Sequence, residues 1–347
     1  MMLKTFKFIA TVILTCVFTT FVFSQSASTI TCSQSNFTVT NISGTGTDYG
    51  DMRWPVAESN IIFNDAFGSR TLSANTNNYD FHRGIDFKGN EGDPIYAIAD
   101  GTVTKVQANC TSGTTGCSFP SGGNVVVIQH TLASDKAFPF NSRSFTTYYS
   151  VYLHLKDFII DANGNTLTTG SITKGQQIGH LGQTDANYPH LHFEIRVGTL
   201  CSGEAQSKSG SCYQTLGLPV FDPSVNPLYF FEYVSGIYEN NNNYGVCVTT
   251  SPNLKVQFES PRNELDFNEI EVIYSGGSKK VNFSLKDGIN LTNVDTNPYN
   301  DVKITPSDFT ATTANYGIAF DFTNLTNYQE IYLRDIWGNG KKIVPNP

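Results

Sequence analysis

Gly92-Asp-Pro-Ile-Tyr-Ala-Ile-Ala-Asp-Gly-Thr-Val-Thr-Lys-Val106 and Asn124-Val-Val-Val-Ile-Gln-His130 contain three short apolar runs cut by turn residues. Such runs, rich in β-branched side chains, are strand-like, and Gly92-Asp-Pro94 and Asp100-Gly101 punctuate them as turns. The same texture extends from Trp54 to about Val234, and long helical patterns are scarce throughout. Beyond Glu239-Asn-Asn-Asn-Asn-Tyr244, a polar run that reads as a linker, the period becomes a strict two. Leu254, Val256 and Phe258 alternate with polar neighbours, as do Val281, Phe283 and Leu285, then Ile318, Phe320 and Phe322, then Ile331 and Leu333. Period two means sheets with one buried face, and Gly338-Asn339-Gly340 signals a hairpin.

The expected fold is therefore all-β. The chain has 347 residues, long for one domain at about 150 residues each. We read an export signal over 1–24, an extended lead-in over 25–53, an antiparallel β domain over 54–235, a linker over 236–252 and a small Ig-like β-sandwich over 253–347. The export signal rests on Lys4 and Lys7 ahead of an apolar run from Phe8 to Phe23, followed by Ser24, Ser26 and Ala27. The mature chain is expected to be secreted, periplasmic or on the cell surface, monomeric, and free of the membrane after cleavage. A formal net charge of -8 argues against nucleic acid as a partner, because phosphate binding needs clustered Lys and Arg. Six cysteines remain after the signal, an even count that fits disulfides in an exported chain. Proximity pairs Cys110 with Cys117 and Cys201 with Cys212, leaving Cys32 and Cys247.

All six histidines fall between residues 82 and 192. His82-Arg-Gly-Ile-Asp86 sets an imidazole and a carboxylate four residues apart around a glycine. In Pro189-His-Leu-His-Phe-Glu-Ile-Arg196 alternation places His190 and His192 on one strand face, with Leu191, Phe193 and Ile195 on the other. His154 lies in another strand-like run, Tyr152-Leu-His-Leu155. Two imidazoles plus a carboxylate suit catalytic zinc, since three protein ligands leave a position open. Spacing alone does not say whether His190 or His192 is the ligand. The remaining histidines would then handle protons and the oxyanion. His130 and His180 read as ordinary structural residues, and Arg70 and Arg196 as partners in ion pairs.

These segments together resemble the lysostaphin-type peptidases, the LytM or duplicated-hybrid-motif family. The likeness begins with Trp54-Pro-Val56, Phe67-Gly-Ser-Arg70 and the HxxxD of His82 to Asp86. It continues through Gly92 to Val103, Gly123 to His130, Tyr152 to Leu155 and Lys174-Gly-Gln-Gln-Ile-Gly179. It ends with the HxH of His190 to His192 and Asp222-Pro-Ser-Val-Asn-Pro227. A full set in order is far more specific than either short motif. The resemblance implies a β domain with a groove across one sheet, and zinc on His82, Asp86 and His192. It also implies that His154 and His190 activate water and steady the oxyanion, and that the substrate is a peptide crosslink of bacterial peptidoglycan. The rival readings are an endopeptidase acting on Gly-rich proteins and a zinc-binding recognition module without turnover. Asp185 departs from the family, which usually has Gly after the Gly182-Gln-Thr184 stretch. Loops around Cys110–Cys117 and 133–147 read as insertions, and the Cys201–Cys212 segment, which follows the HxH strand, is a candidate border of the site.

Overall fold

The computed structural model describes residues 48–57, 63–65, 67–71, 79–111, 114–119, 121–139, 144–159, 166–197, 224–236, 245–250, 253–259, 267–282, 302–307, 317–325, 327–337 and 340–343. The export signal, Cys32, the Cys201–Cys212 stretch and most of the Asn-rich run lie outside them. The fold is almost entirely antiparallel β. Its main sheet runs in the order Gly170–Ile172, Gly101–Cys110, Gly123–Ala137, Ser144–Leu153, His190–Val197, Ile85–Lys88, Phe63–Asp65. A short Ser224–Val225 strand pairs with the far end of His190–Val197. A smaller sheet joins Asp157–Phe158, Gln177–His180 and Pro94–Tyr96.

The pleat sorts the main sheet into two chemically different faces. Tyr152 pairs with Phe193 and Ser150 with Ile195, while Leu153 pairs with His192 and Val151 with Glu194. On one face Ile85, Phe87, Leu191, Phe193 and Ile195 are wholly buried. That face is covered by a helix, Pro227–Ser235, which the strand-rich reading did not anticipate. Phe231 stacks on Trp54 with ring centroids 4.2 Å apart, and Phe230 meets Tyr148 at 4.9 Å. The helix is locally specified. The Asn226 side chain accepts from the Leu228 N–H, Pro227 opens the first turn, and Gly236 closes the helix at φ 75°.

Two boundaries differ from the sequence reading. Asp48–Tyr49 and Met52–Arg53, placed in the lead-in, form a small hairpin. Tyr49 and Met52 are buried there, and the Tyr49 ring meets Trp54 and Phe231. Gly245–Thr249, placed in the linker because of its polar surroundings, is an edge strand on Leu254–Glu259. Pairing with a neighbour, rather than local polarity, decides its state.

The C-terminal strands form two four-stranded antiparallel sheets. Leu254, Val256, Phe320 and Phe322 from one, and Ile270, Val272, Ile331 and Leu333 from the other, are buried in a common cluster. Glu330–Asp335 alternates strictly in burial and pairs with Gly340–Ile343 across the expected hairpin. The cluster is continuous with the core of the main sheet. Trp337, fully buried, lies edge-on to Phe138 and tilted against Tyr233, each at 5.4 Å.

His130 sits on the helix-covered face and is fully packed. Its Nδ1–H donates to the Asp100 carbonyl at 2.8 Å, so Nε2 accepts from the Ser150 hydroxyl at 2.7 Å. Burial pushes its pKa from 6.5 to about 4. The unfolded imidazole therefore takes a proton first as pH falls, and stability drops between about 6.5 and about 4, with no such effect above 6.5. The shift corresponds to about 3 kcal/mol. Denaturant titrations at pH 7 and pH 4.5 are expected to show a shallower loss in His130→Gln than in the parent, and equal losses would remove His130 from the account.

Candidate active site

Three neighbouring structures bring the chemical residues together. Tyr79–His82 ends at His82, and Ile85–Lys88 begins after a two-residue turn. In the main sheet Asp86 lies directly across from His192. Gly84 permits this closeness, because a Cβ there would sit 2.3 Å from the Phe193 carbonyl oxygen and 3.0 Å from His192 Nε2. The HxxxD spacing thus needs the small residue that the sequence supplies.

His82 Nε2, Asp86 Oδ1 and His192 Nδ1 form a nearly equilateral triangle. The sides are 3.1 Å from His82 to Asp86, 2.9 Å from His82 to His192, and 3.0 Å from His192 to Asp86. Zinc with bonds of about 2.0–2.1 Å separates its tetrahedral ligands by about 3.3 Å, so the triangle is close to a zinc-binding face. The far nitrogen of His192, Nε2, donates to Glu194 Oε1 at 3.1 Å. An imidazole that ligates through one nitrogen commonly gives the other N–H to a carboxylate. The donor set and its outer partner fit the metal. Among the described residues this is also the group of His, Cys, Asp and Glu atoms close enough to share an ion.

Electrostatics favour a cation at this place. Burial works against the charge of Asp86, but His82 and His192 overcome it and hold the carboxyl well below its usual range. Burial likewise opposes ionisation of Glu194, and Arg196 and His192 bring it down to about 2. His192 is raised to about 9, because Asp86 and Glu194 outweigh the burial that would lower it. Two buried anions thus hold a proton on His192 that a divalent ion would displace.

His154 and His190 stand beside the triangle. Their rings are 4.8 Å apart, and His154 is 6.2 Å from the His192 ring. His190 Nε2 is 3.8 Å from Asp86 Oδ1. Each has its tautomer set by a backbone carbonyl. His154 Nδ1–H donates to Thr184 O at 2.8 Å, and His190 Nδ1–H donates to Tyr188 O at 2.9 Å. Nε2 of each neutral ring therefore carries the lone pair. Burial, reinforced by the neighbouring His192 and His190, lowers His154 to about 4. Burial also lowers His190. Both rings are neutral near pH 7.

Residues to which the sequence reading gave no role position this pair. Thr184 accepts from His154 through its carbonyl, donates its hydroxyl to Leu155 O at 2.9 Å and accepts from Asn124 N at 2.9 Å. Gly123, at φ 64°, lets Thr184 come this near, since a Cβ there would lie 2.2 Å from the Thr184 carbonyl oxygen. Asp185 follows at φ 52°. The departure from glycine thus keeps a left-handed backbone and adds an exposed carboxylate. Tyr188, 43% exposed, lays its ring 4.7 Å from His190. His180 pairs with Asp157 at 2.6 Å and joins no part of this site. A cavity of about 520 Å³ lined by Asp51, Asp100, Lys136 and Lys174 contains none of the site residues.

Residues 80–206 match the model of Peptidase family M23. This stretch of the chain is similar to M23 peptidases. The chain is 31% identical over 157 residues to the peptidoglycan DD-endopeptidase ShyC of Vibrio cholerae, covering 43% of this chain and 29% of that protein. It is 28% identical over 152 residues to the murein hydrolase activator NlpD of Escherichia coli, covering 44% and 30%. The chain therefore spans less than a third of either relative. Among solved structures it is similar to the catalytic domain of the antimicrobial peptidase lysostaphin from Staphylococcus simulans. Identity is 22%, coverage is 49% of this chain and 90% of that one, and the TM-score is 0.30. The M23 match opens two residues before His82 and encloses both histidine motifs, whereas the resemblance read from sequence begins earlier, at Trp54.

Proposed function

We propose that this protein is an exported zinc metalloendopeptidase that hydrolyses peptide bonds in the crosslinks of bacterial peptidoglycan. The observation that carries the reading is the His82–Asp86–His192 triangle with two neutral histidines, their Nε2 lone pairs unprotonated, at its side. In this reading His82, Asp86 and His192 hold zinc, and His154 and His190 are catalytic. Zinc at these residues supplies a Lewis acid that polarises a scissile carbonyl and brings the pKa of water to about 7.

The chain's own groups do the rest. One Nε2 of the His154/His190 pair accepts the proton of the attacking water. Protonated, that imidazole donates to the developing oxyanion or to the leaving amine, so the proton ends on the new amino terminus. The backbone carbonyls of Thr184 and Tyr188 keep both rings in the useful tautomer throughout. Tyr188 offers an aromatic shelf at the entrance to His190, and Asp185 places a negative charge on the same loop. The M23 domain is taken to span 54–235, with the hairpin from Asp48 packed onto it, and 253–347 to serve binding or spacing. No helix among the described residues is long and apolar enough to cross a membrane.

Similarity to a protein named as a murein hydrolase activator supports a second reading, a zinc-binding module that recognises the wall without cutting it. One experiment separates the two. Purified peptidoglycans of differing bridge chemistry are incubated with the protein, with and without a chelator, and new termini are identified by mass spectrometry. New amino termini within the bridge should appear, vanish with chelator and return on adding zinc. Binding of the wall by zinc-loaded protein without new termini would leave the recognition reading in place of the peptidase.

A further inference from the structure

The strand that carries His190 and His192 continues on the same face with Glu194 and Arg196. Both are buried, each 3% exposed. The oxygens of Glu194 divide their work. Oε1 accepts from His192 Nε2 at 3.1 Å, and Oε2 accepts from Arg196 Nε and meets Nη2, both at 2.6 Å. The Arg196 guanidinium lies 4.8 Å over the ring of Phe119. Phe119 follows the Cys110–Cys117 disulfide, which closes the loop leading to it. Cys110, Phe119, Val125, Val127, Val151 and Leu153 form a small hydrophobic cluster separate from the main core. Val151 pairs with Glu194 and Tyr149 with Arg196, so this cluster roofs the sheet face that leads into the metal triangle. The residues around it are tied to the strands as well. Lys105 Nζ donates to Ser118 Oγ, and Ser118 N donates to Gln107 Oε1 at 3.1 Å.

A buried ion pair is seldom the most stable filling for such a place, since apolar side chains of like volume usually serve as well or better. Its geometry shows what else it does. With Glu194 accepting from Nε2–H, the proton of neutral His192 is fixed on Nε2 and the lone pair is left on Nδ1. Nδ1 is the atom that meets His82 and Asp86. Arg196 occupies the second carboxylate oxygen, and Phe119 covers the guanidinium on its open side. We propose that Glu194, Arg196 and Phe119 form a positioning chain for His192, so that the strength of the zinc site depends on the disulfide-closed loop above it. This rests on reading His192 as a zinc ligand.

The test is zinc affinity of the full chain, measured by competition with a chromophoric chelator, with the melting temperature of the metal-free protein recorded alongside. Glu194→Gln presents an amide N–H to His192 Nε2 and favours the wrong tautomer, and is expected to weaken zinc binding about 10–100-fold. Arg196→Lys, which keeps the charge and loses the paired contact, should weaken it less, as should Phe119→Ala and the double change Cys110→Ser with Cys117→Ser. Adding Phe119→Ala to Glu194→Gln should cost nothing further, because the two act through one chain. Zinc affinity unchanged in both Glu194→Gln and Arg196→Lys would overturn the proposal, as would loop variants that melt lower yet bind zinc as tightly as the parent. Peptidoglycan cleavage scored in parallel separates the two claims. Weakened zinc binding with an inactive parent protein would remove the peptidase reading alone, and unchanged zinc binding with an active parent would remove only this one.

Discussion

Asp86→Ala is expected to lose zinc and hydrolysis together. Asp86 is the carboxylate on which both His82 and His192 converge, at 3.1 and 3.0 Å, and it is 3% exposed. On the proposed ligand set, removing it takes away one ligand and the charge that would draw a cation between two buried imidazoles. The fall in zinc affinity should exceed the roughly 100-fold that loss of an outer hydrogen-bond partner can cost. Because bound zinc stabilises the folded state by mass action, the parent should melt higher on titration with zinc and the variant should not respond. Metal content by elemental analysis, the melting shift and the appearance of new peptidoglycan termini all follow one cause and should disappear together. Asp86→Ala protein that retained one zinc per chain would show that the ligand set is wrongly drawn.

His190→Ala and His154→Ala should behave in the opposite way, with zinc kept and turnover lost. Neither ring is a corner of the triangle, and each owes its orientation to a backbone carbonyl rather than to the metal ligands. General acid–base groups of this kind contribute about 10²–10⁴ in rate. The loss should fall on kcat, with zinc content near one per chain in both variants. His154 occupies a left-handed backbone position, φ 63°, so His154→Asn, which tolerates that conformation, guards against an effect of strain alone. Full activity in His190→Ala would refute the assignment of a proton to its Nε2.

What could be read in the chain beforehand followed local rules. Leu191, Phe193 and Ile195 alternate with His190 and His192, and that alternation alone places the two imidazoles on one face. The pairing of Cys110 with Cys117 followed from their short separation, and the disulfide is present. Cys32, Cys201 and Cys212 lie outside the described residues. The helix Pro227–Ser235 carried its own notice in Asn226-Pro227 and Gly236, but its nine residues are nearly all apolar and show no helical stripe. Gly245–Thr249 pairs with Leu254–Glu259, and its β-branched Val246, Val248 and Thr249 favour a strand, a short signal lost beside the polar run that precedes it. Thr184 and Glu194 escaped notice for a different reason. Thr184 works on His154 through a carbonyl that every residue possesses, 30 positions away. Glu194 reads as one more polar member of an alternating strand until the pleat sets it under His192. Arg196 was expected to form an ion pair, and its partner proves to be two residues away on the same face.

Trp337 carries a consequence for how the molecule comes apart. Its indole is wedged between Phe138, at the end of a main-sheet strand, and Tyr233, on the covering helix. Tyr233 in turn donates its hydroxyl to the Ala137 carbonyl. A module hung on a tether would melt on its own schedule and be shed by proteolysis without harm to the half that bears the histidines. Here the two halves share a buried aromatic seam, and emptying the seat of a buried Trp costs about 3–5 kcal/mol. The main sheet therefore leans on its neighbour for heat resistance, and separating the two at the Asn-rich run would expose an aromatic scar on both pieces.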